Sequence, residues 1–337
     1  GTESNGLNEL TLRHPVNGVP FGKPRFNHYR RQPNDDRSIS DNEITALYED
    51  RSGLLWIGTR RGGLNKINLT ADKFRYYSST ESTGGLTHPV VTSIVQDAKK
   101  RIWVGTLGGG LNLFEKIKGE PVKFRHSAIR ADATDEKALG SDFITCLLED
   151  QSGFLWIGTS GSGLYQLDPV NNTFKSYRYD PETTNSLSSD DINTIYEDQY
   201  GQIWIGTNRG LNQVDGFRET FKRYIADPDQ RGSLRNNEVL SIAEDKYSNG
   251  RILWIGTRSG GLNTIDRKTE RFKLFATESP LSNALHKSSI LAIHQDAAGD
   301  AWFGTNGSGL FHYDRLEEKL QFFTEKDGLA NNSVRAI

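Results

Sequence analysis

The chain is predicted to be all-β: a seven-bladed β-propeller of four-stranded antiparallel blades. It fills residues 1–337 as a single domain, with one blade split between the N- and C-terminal ends and incomplete. Three observations carry this reading. A Trp–hydrophobic–Gly–Thr motif starts at Trp56, Trp103, Trp156, Trp204, Trp254 and Trp302, and these are all the Trp residues of the protein. Successive copies lie about 50 residues apart, a period that suits one four-stranded blade. No segment holds a helical period, while short β-type runs alternate with turn signals throughout.

The unit beginning at Asn42 shows each element in order. Ile44 to Tyr48 is a first strand, and Asp50-Arg51-Ser52-Gly53 is a turn in which Asp accepts backbone N–H bonds. Leu54 to Thr59 is the second strand and carries the Trp. Arg60 to Gly63 turns into a third strand, Leu64 to Ile67. A polar turn from Asn68 to Lys73 leads into a fourth strand around Phe74. The internal copies align one another. First strands begin at Ile44, Val91, Ile144, Ile192, Val239, Ile290 and Val334. Third strands begin at Leu7, Leu64, Leu111, Leu164, Leu211, Leu262 and Leu310. Fourth strands centre on Phe26, Phe74, Phe124, Phe174, Phe221, Phe272 and Phe322. Two residues after each first-strand anchor stands a small residue: Ala46, Ser93, Cys146, Thr194, Ser241, Ala292 or Ala336. These belong where strands crowd together near the axis.

The ends complement each other. Gly1 to Leu7 reads as the tail of a second strand and the start of a third, and Val334 to Ile337 as a first strand. Together they are expected to close the ring, which removes open sheet edges. The absence of Met and of a Trp-bearing stretch before Gly1 leads us to expect a piece of a longer chain.

Composition narrows the function classes. The formal net charge is −2, so nothing global argues for nucleic acid. No apolar run is long enough to span a bilayer, and direct membrane contact is not expected. The single Cys146 excludes an internal disulfide and is read as a packing residue.

The segment Leu55 to Thr59 with Gly63-Leu64-Asn65, preceded by Ile44 to Asp50, resembles the two-component regulator propeller repeat; so does the lead-in Asp327 to Val334. The resemblance extends over essentially the whole chain. It implies one propeller from the periplasmic part of a hybrid two-component sensor, whose parent protein is a histidine kinase. Relatives of this kind typically carry two propellers and a β-sandwich outside the membrane, and many respond to glycan breakdown products. The partners it implies are an oligosaccharide, neighbouring propeller or β-sandwich domains, and a second copy in a homodimer.

Six Trp residues in one register are read as packing between blades rather than as sugar platforms. The acidic residues Asp50, Asp97, Asp150, Asp198, Asp245 and Asp296 recur in nearly every unit and are read as turn structure; a catalytic carboxylate pair would be unique. The histidines, His14, His28, His88, His126, His286, His294 and His312, show no metal-ligand spacing, so no cofactor or metal is expected. The Gly-rich turns lack a P-loop lysine. The domain is therefore expected to be non-catalytic. The alternatives are a glycan-cleaving or lyase propeller and a pure protein-interaction scaffold. Recognition is placed on the face formed by second-to-third turns and blade connections: Arg60, Arg61, His88, Asn208, Arg209, Arg235, Arg258 and Asn306, with Asn236, Asn237 and Lys287 nearby. Arg forks suit carboxylate or sulfate groups, so the face is read either as a solvated charged rim or as a site for an acidic oligosaccharide or a partner domain.

Overall fold

The computed structural model describes residues 1–11, 24–68, 73–79, 85–117, 124–132, 134–135 and 137–337. His14 and residues 69–72 of the predicted turn lie outside them. The chain opens with a two-stranded ladder, β1 (Leu7–Thr11) and β2 (Arg25–Tyr29). Six four-stranded antiparallel sheets follow in chain order. Blade 1 is β3 (Ile44–Glu49), β4 (Leu54–Thr59), β5 (Leu64–Asn68) and β6 (Lys73–Tyr77). Blade 2 is β7 (Val91–Gln96), β8 (Ile102–Thr106), β9 (Gly110–Lys116) and β10 (Phe124–Ile129). Blade 3 is β11 (Ile144–Glu149), β12 (Leu155–Thr159), β13 (Leu164–Asp168) and β14 (Thr173–Tyr177). Blade 4 is β15 (Ile192–Glu197), β16 (Ile203–Thr207), β17 (Gly210–Val214) and β18 (Phe221–Tyr224). Blade 5 is β19 (Val239–Glu244), β20 (Ile252–Thr257), β21 (Leu262–Asp266) and β22 (Arg271–Leu274). Blade 6 is β23 (Ile290–Gln295), β24 (Ala301–Thr305), β25 (Leu310–Asp314) and β26 (Lys319–Phe323). A short helix, α1 (Ser282–Lys287), lies in the connection before β23.

First strands of successive blades touch one another from β3 through β23, so they line the axis. There the motif glycine is required by space. A Cβ on Gly58 would sit 2.5 Å from Val91 Cγ1 of the next blade and 3.2 Å from Ala46 Cβ. Each small residue of the first strand pairs with that glycine, as Ala46 does with Gly58 and Cys146 with Gly158. Between anchor and small residue the register shifts in all six blades. The extra residue of such a bulge is free to aim its side chain elsewhere. Thr45, Thr92 and Thr145 donate their hydroxyls to Val91, Ile144 and Ile192 carbonyls of the following blade at 2.6, 2.9 and 2.6 Å, and Asn193 reaches the Val239 carbonyl at 3.0 Å.

The core lies between blades. Trp56 packs on Val91, Ile94, Ile102, Val104 and Phe114 of blade 2, and Trp156 packs on Ile192, Ile195, Ile203 and Ile205 of blade 4. All six indoles are buried.

Two sequence expectations need correction. Among the described residues six blades are four-stranded, and the seventh, expected as a split and incomplete blade, is not a four-stranded sheet. The seventh sector holds the β1–β2 ladder and one antiparallel bridge, Thr2 to Val334. The ends nevertheless meet: the Gly1 amine donates to the Ala336 carbonyl at 2.7 Å, and Arg335 N donates to the Gly1 carbonyl at 3.0 Å. The second correction concerns fourth strands. Register places His126 opposite Phe114 and Leu320 opposite Tyr313, the positions held by Phe74 opposite Ile67 in blade 1. Phe124 and Phe322 are each two residues away from that anchor. In blade 6 the successive same-face positions Leu320 and Phe322 are both apolar, and in blade 2 the anchor is the His126 ring, so residue type alone does not fix the register.

Candidate functional site

Before any ligand can be placed, the polar groups held by the scaffold must be separated from those left over. The turn aspartates belong to the scaffold. The Trp indole Nε1 donates to the aspartate six residues earlier at 2.7–3.0 Å in five blades: Asp50, Asp97, Asp150, Asp198 and Asp296. Asp50 also accepts from Ser52 N and Leu54 N. Burial alone would raise its carboxyl, but these bonds outweigh burial and hold it below the usual carboxylate range. In blade 5 the turn is longer, and Asp245 instead meets Arg315 at 2.9 Å. Arginines from the third-to-fourth turn of the next blade reach back to these acids. Arg218 lies 2.8 Å from Asp150, and Arg267 lies 2.8 Å from Asp198. This lower face is a set of interblade ion pairs around buried carboxylates. Sequence reading recognised the aspartates as turn residues but missed both bonds; the constant spacing of Asp and Trp was the available signal.

The Asn of Gly-Leu-Asn is a second missed structural group. Oδ1 of Asn65, Asn112, Asn212 and Asn263 accepts from the backbone N–H of Ser40, Thr87, Ser188 and Arg235, and so pins the blade connections.

The upper face gathers the predicted recognition residues, but not into one cavity. Arg60, Asn208, Arg258 and Asn306 occupy one register position. Each donates its backbone N–H to the residue just before its own blade's first strand: Glu43, Asp191, Glu238 and Ser289. The forks are already engaged: Arg60 lies 3.5 Å from Glu43 and Arg258 lies 2.5 Å from Glu238. Arg61 lies 3.6 Å from Glu43 and remains largely exposed. Asn208 Oδ1 accepts from Asn193, and Asn306 Oδ1 accepts from Ser333. Arg209 stacks over the Tyr179 ring at 5.8 Å. His88 Nδ1 accepts from Val90 N at 3.2 Å. Asn237 Oδ1 accepts from Ala226 N, and Asn236 Oδ1 from Glu238 N. Lys287 ends α1.

Two grooves open beside the connections. One, of about 800 Å³, lies between the connection before blade 1 and the outer strand β6; Arg31, Asp35, Asp36, Asp41, Arg61 and Tyr76 line it. Its size falls in the range of ligand sites. The other, of about 710 Å³, contains Arg235. In the first, two guanidinium groups face three carboxylates, so it has no excess of positive charge. Tyr76 offers a half-exposed ring.

Cys146 is inert by position: burial pushes its thiol up to about 12. Among the described residues, no cluster of His, Cys, Asp and Glu could hold a metal ion, and no helix is long and apolar enough to cross a membrane.

A family model described as the two-component regulator propeller matches residues 38–61, 85–108, 138–161 and 186–209. The chain carries two-component regulator propeller repeats. Each matched regulator-propeller segment runs through the first strand and the Trp motif and ends two residues past the motif Thr. The chain is also similar to the extracellular domain of a candidate hybrid two-component system, BT3049 of B. thetaiotaomicron (TM-score 0.70, 24% identity, 88% of this chain and 37% of that one). A second such domain, of BT4673 from the same organism, matches with a TM-score of 0.65 and 18% identity over 99% of this chain and 47% of that one. Virginiamycin B lyase from Staphylococcus aureus overlays with a TM-score of 0.57 and 13% identity, over 83% of each chain. At these identities the likeness shows the fold, and the chain spans less than half of either B. thetaiotaomicron domain. No curated protein sequence matches it.

Proposed function

We propose that this chain is a non-catalytic, ligand-receiving propeller within a longer hybrid two-component sensor. It lies outside the cytoplasm and responds to oligosaccharides during polysaccharide use. The observation that carries the reading is the combination of four regulator-propeller matches with an overlay of most of the chain on extracellular sensor domains. The engagement of the repeated carboxylates as acceptors for indole and backbone N–H groups supports a non-catalytic role. The lyase overlay is at fold level and favours no chemistry here.

Within this reading the groove at Tyr76 and Arg61 is the binding site. A pyranose can lay its C–H face on the Tyr76 ring while Arg31, Asp35 and Asp36 meet its hydroxyls. The charge balance there favours an uncharged glycan over a sulfated one, because Arg31 and Arg61 share the groove with Asp35, Asp36 and Asp41 and Arg61 already faces Glu43. Calorimetry of residues 1–337 against neutral and acidic oligosaccharides tests this. Binding of a neutral member that is lost in Tyr76→Ala is the expected outcome. Silence across the panel, or binding indifferent to Tyr76→Ala and Arg61→Ala, overturns the assignment of this groove.

A further inference from the structure

The connections leading into blades 1, 4 and 5 share one turn. Gln32, Asp180 and Asp227 each donate their backbone N–H to the serine hydroxyl six residues later, Ser38, Ser186 and Ser233, at 2.9, 2.8 and 3.2 Å. That hydroxyl lies 3.2, 3.0 and 2.6 Å from the carbonyl oxygen of the same residue. The residue before each serine, Arg37, Asn185 or Gly232, accepts from the N–H of a fourth-strand phenylalanine, Phe74, Phe221 or Phe272. Two residues beyond that phenylalanine stand Tyr76, Arg223 and Leu274, opposite Asn65, Asn212 and Asn263. The three turns therefore cover one equivalent position, and the chain places a different side chain in each.

In blade 4 the turn holds a cation. Arg223 Nε donates to the Ser186 carbonyl at 2.7 Å. Its Nη2 lies 2.9 and 3.3 Å from the carbonyl oxygens of Thr183 and Asp180 and also bonds Ser186 Oγ. The charge is met by three main-chain carbonyls and by the Tyr179 ring, 5.4 Å away. Blade 1 keeps these acceptors without the guanidinium. Gln32, Asp35 and Ser38 correspond to Asp180, Thr183 and Ser186, and all three line the groove of about 800 Å³. Tyr76 takes the place of Arg223 and brings no charge. Asp35, Asp36 and Asp41 outnumber Arg31 and Arg61 on the walls. The blade 5 groove is the opposite case: Arg231, Arg235 and Lys273 line it against one carboxylate, Asp227, so an incoming cation meets like charge.

We propose that the blade 1 groove is a cation subsite: it holds the protonated amine of an amino sugar where Arg223 sits in blade 4, with the sugar ring laid on Tyr76. This rests on the glycan reading of the same groove and adds the group that anchors the ligand. An ammonium carries three donors and no acceptor, which matches three carbonyl oxygens, whereas a sugar hydroxyl brings one donor. Its hydrogen bonds are charge-assisted and roughly twice as strong as neutral ones. A neutral sugar can still stack on Tyr76 but leaves part of the carbonyl set to water, so it binds more weakly.

Calorimetry of residues 1–337 compares a β-1,4-linked glucosamine trimer with cellotriose, which carries hydroxyls where the trimer has amines. The glucosamine trimer should bind about tenfold tighter, the gap between a charge-assisted and a neutral hydrogen bond. Tyr76→Arg, which installs the blade 4 arrangement, should abolish its binding. A preference that survives in Tyr76→Arg places the amine elsewhere and overturns the proposal. Should that variant fail to fold, Asp35→Asn replaces it: a narrower gap between the two trimers supports the subsite, and an unchanged gap overturns it. Equal affinities that are both lost in Tyr76→Ala refute the cation subsite and leave the glycan reading standing. If neither trimer binds, the glycan reading falls and methylguanidinium tests the turn alone. Saturable amide shifts at Asp35 and Ser38 that Tyr76→Arg removes then support a cation site, and their absence refutes it.

Discussion

Removing Arg218 tests whether ion pairs between blades hold the lower face. Its guanidinium lies 2.8 Å from Asp150, donates to Ser152 Oγ at 3.1 Å and covers the Phe154 and Trp156 rings at 5.4 and 5.8 Å. The Asp150 side chain is 0% exposed and also accepts from Trp156 Nε1, Ser152 N and Phe154 N at 2.7, 2.9 and 3.0 Å. Stripping a buried charge of its counterion costs about 3–5 kcal/mol. Because three N–H donors still face Asp150 in Arg218→Ala, the low end, about 3 kcal/mol, is expected. Asp150→Ala removes the acceptor of all three donors as well, at about 1 kcal/mol each, and should cost about 5–6 kcal/mol. The double variant should be no worse than Asp150→Ala alone, since the orphaned guanidinium goes too; the coupling is then about 3 kcal/mol. Urea unfolding followed by Trp fluorescence gives the four stabilities, and exchange of the Trp156 indole proton gives a local readout. An Arg218→Ala protein within about 0.5 kcal/mol of the parent would refute the claim that these pairs hold neighbouring blades together.

Two further outcomes follow from single contacts. Gly58→Ala drives a Cβ to 2.5 Å from Val91 Cγ1 and should cost about 1–3 kcal/mol by overpacking. Gly53→Ala, at φ +76° with nothing within 4 Å, should cost about 1–2 kcal/mol from backbone strain alone and leave blade contacts intact. If Gly58→Ala proves the milder of the two in thermal unfolding, the close-approach account fails. Lys66 is buried among Trp56, Tyr77 and Phe124, with Nζ 5.3, 5.5 and 4.5 Å from their rings, and burial pulls its pKa down from 10.5 to about 8. The folded state therefore holds this proton less tightly than the unfolded chain, so the Lys66 contribution to stability improves as pH rises from about 8 to 10.5. Lys66→Leu, which copies Leu113 of blade 2, should be the more stable protein at pH 7, with its advantage shrinking across that window; a gap constant with pH in urea melts would count against the buried charge.

Much of the architecture was legible because each unit encodes it locally. The Trp–hydrophobic–Gly–Thr run specifies a strand with one large buried face, and the Gly opposite Ala46 or Cys146 marks where two backbones come close. The turn beginning at Asp50 announces itself by composition. Register inside the fourth strand was less legible: Phe124 and Phe322 carry the right residue type two positions from the anchor. The recognition face was legible as a face and illegible as a site. Arg60 and Arg258 are the expected distance along each unit, yet the carboxylates that hold them, Glu43 and Glu238, are a whole strand pair away in sequence and meet them only because the two strands pair.

By itself the sequence determined the repeat, the strand order within each unit and the burial of the indoles, because hydrophobic period and turn chemistry act over a few residues. Only the tertiary structure decided that Arg218 and Arg267 reach back to the preceding blade, that Thr45 caps the carbonyl of Val91, and that Thr2 and Val334 form a bridge between the two ends of the chain. Those contacts depend on how one wedge is rotated and seated against the next. That relation involves residues 46 positions apart for Thr45 and Val91 and nearly 70 for the Arg–Asp pairs, and no local pattern records it.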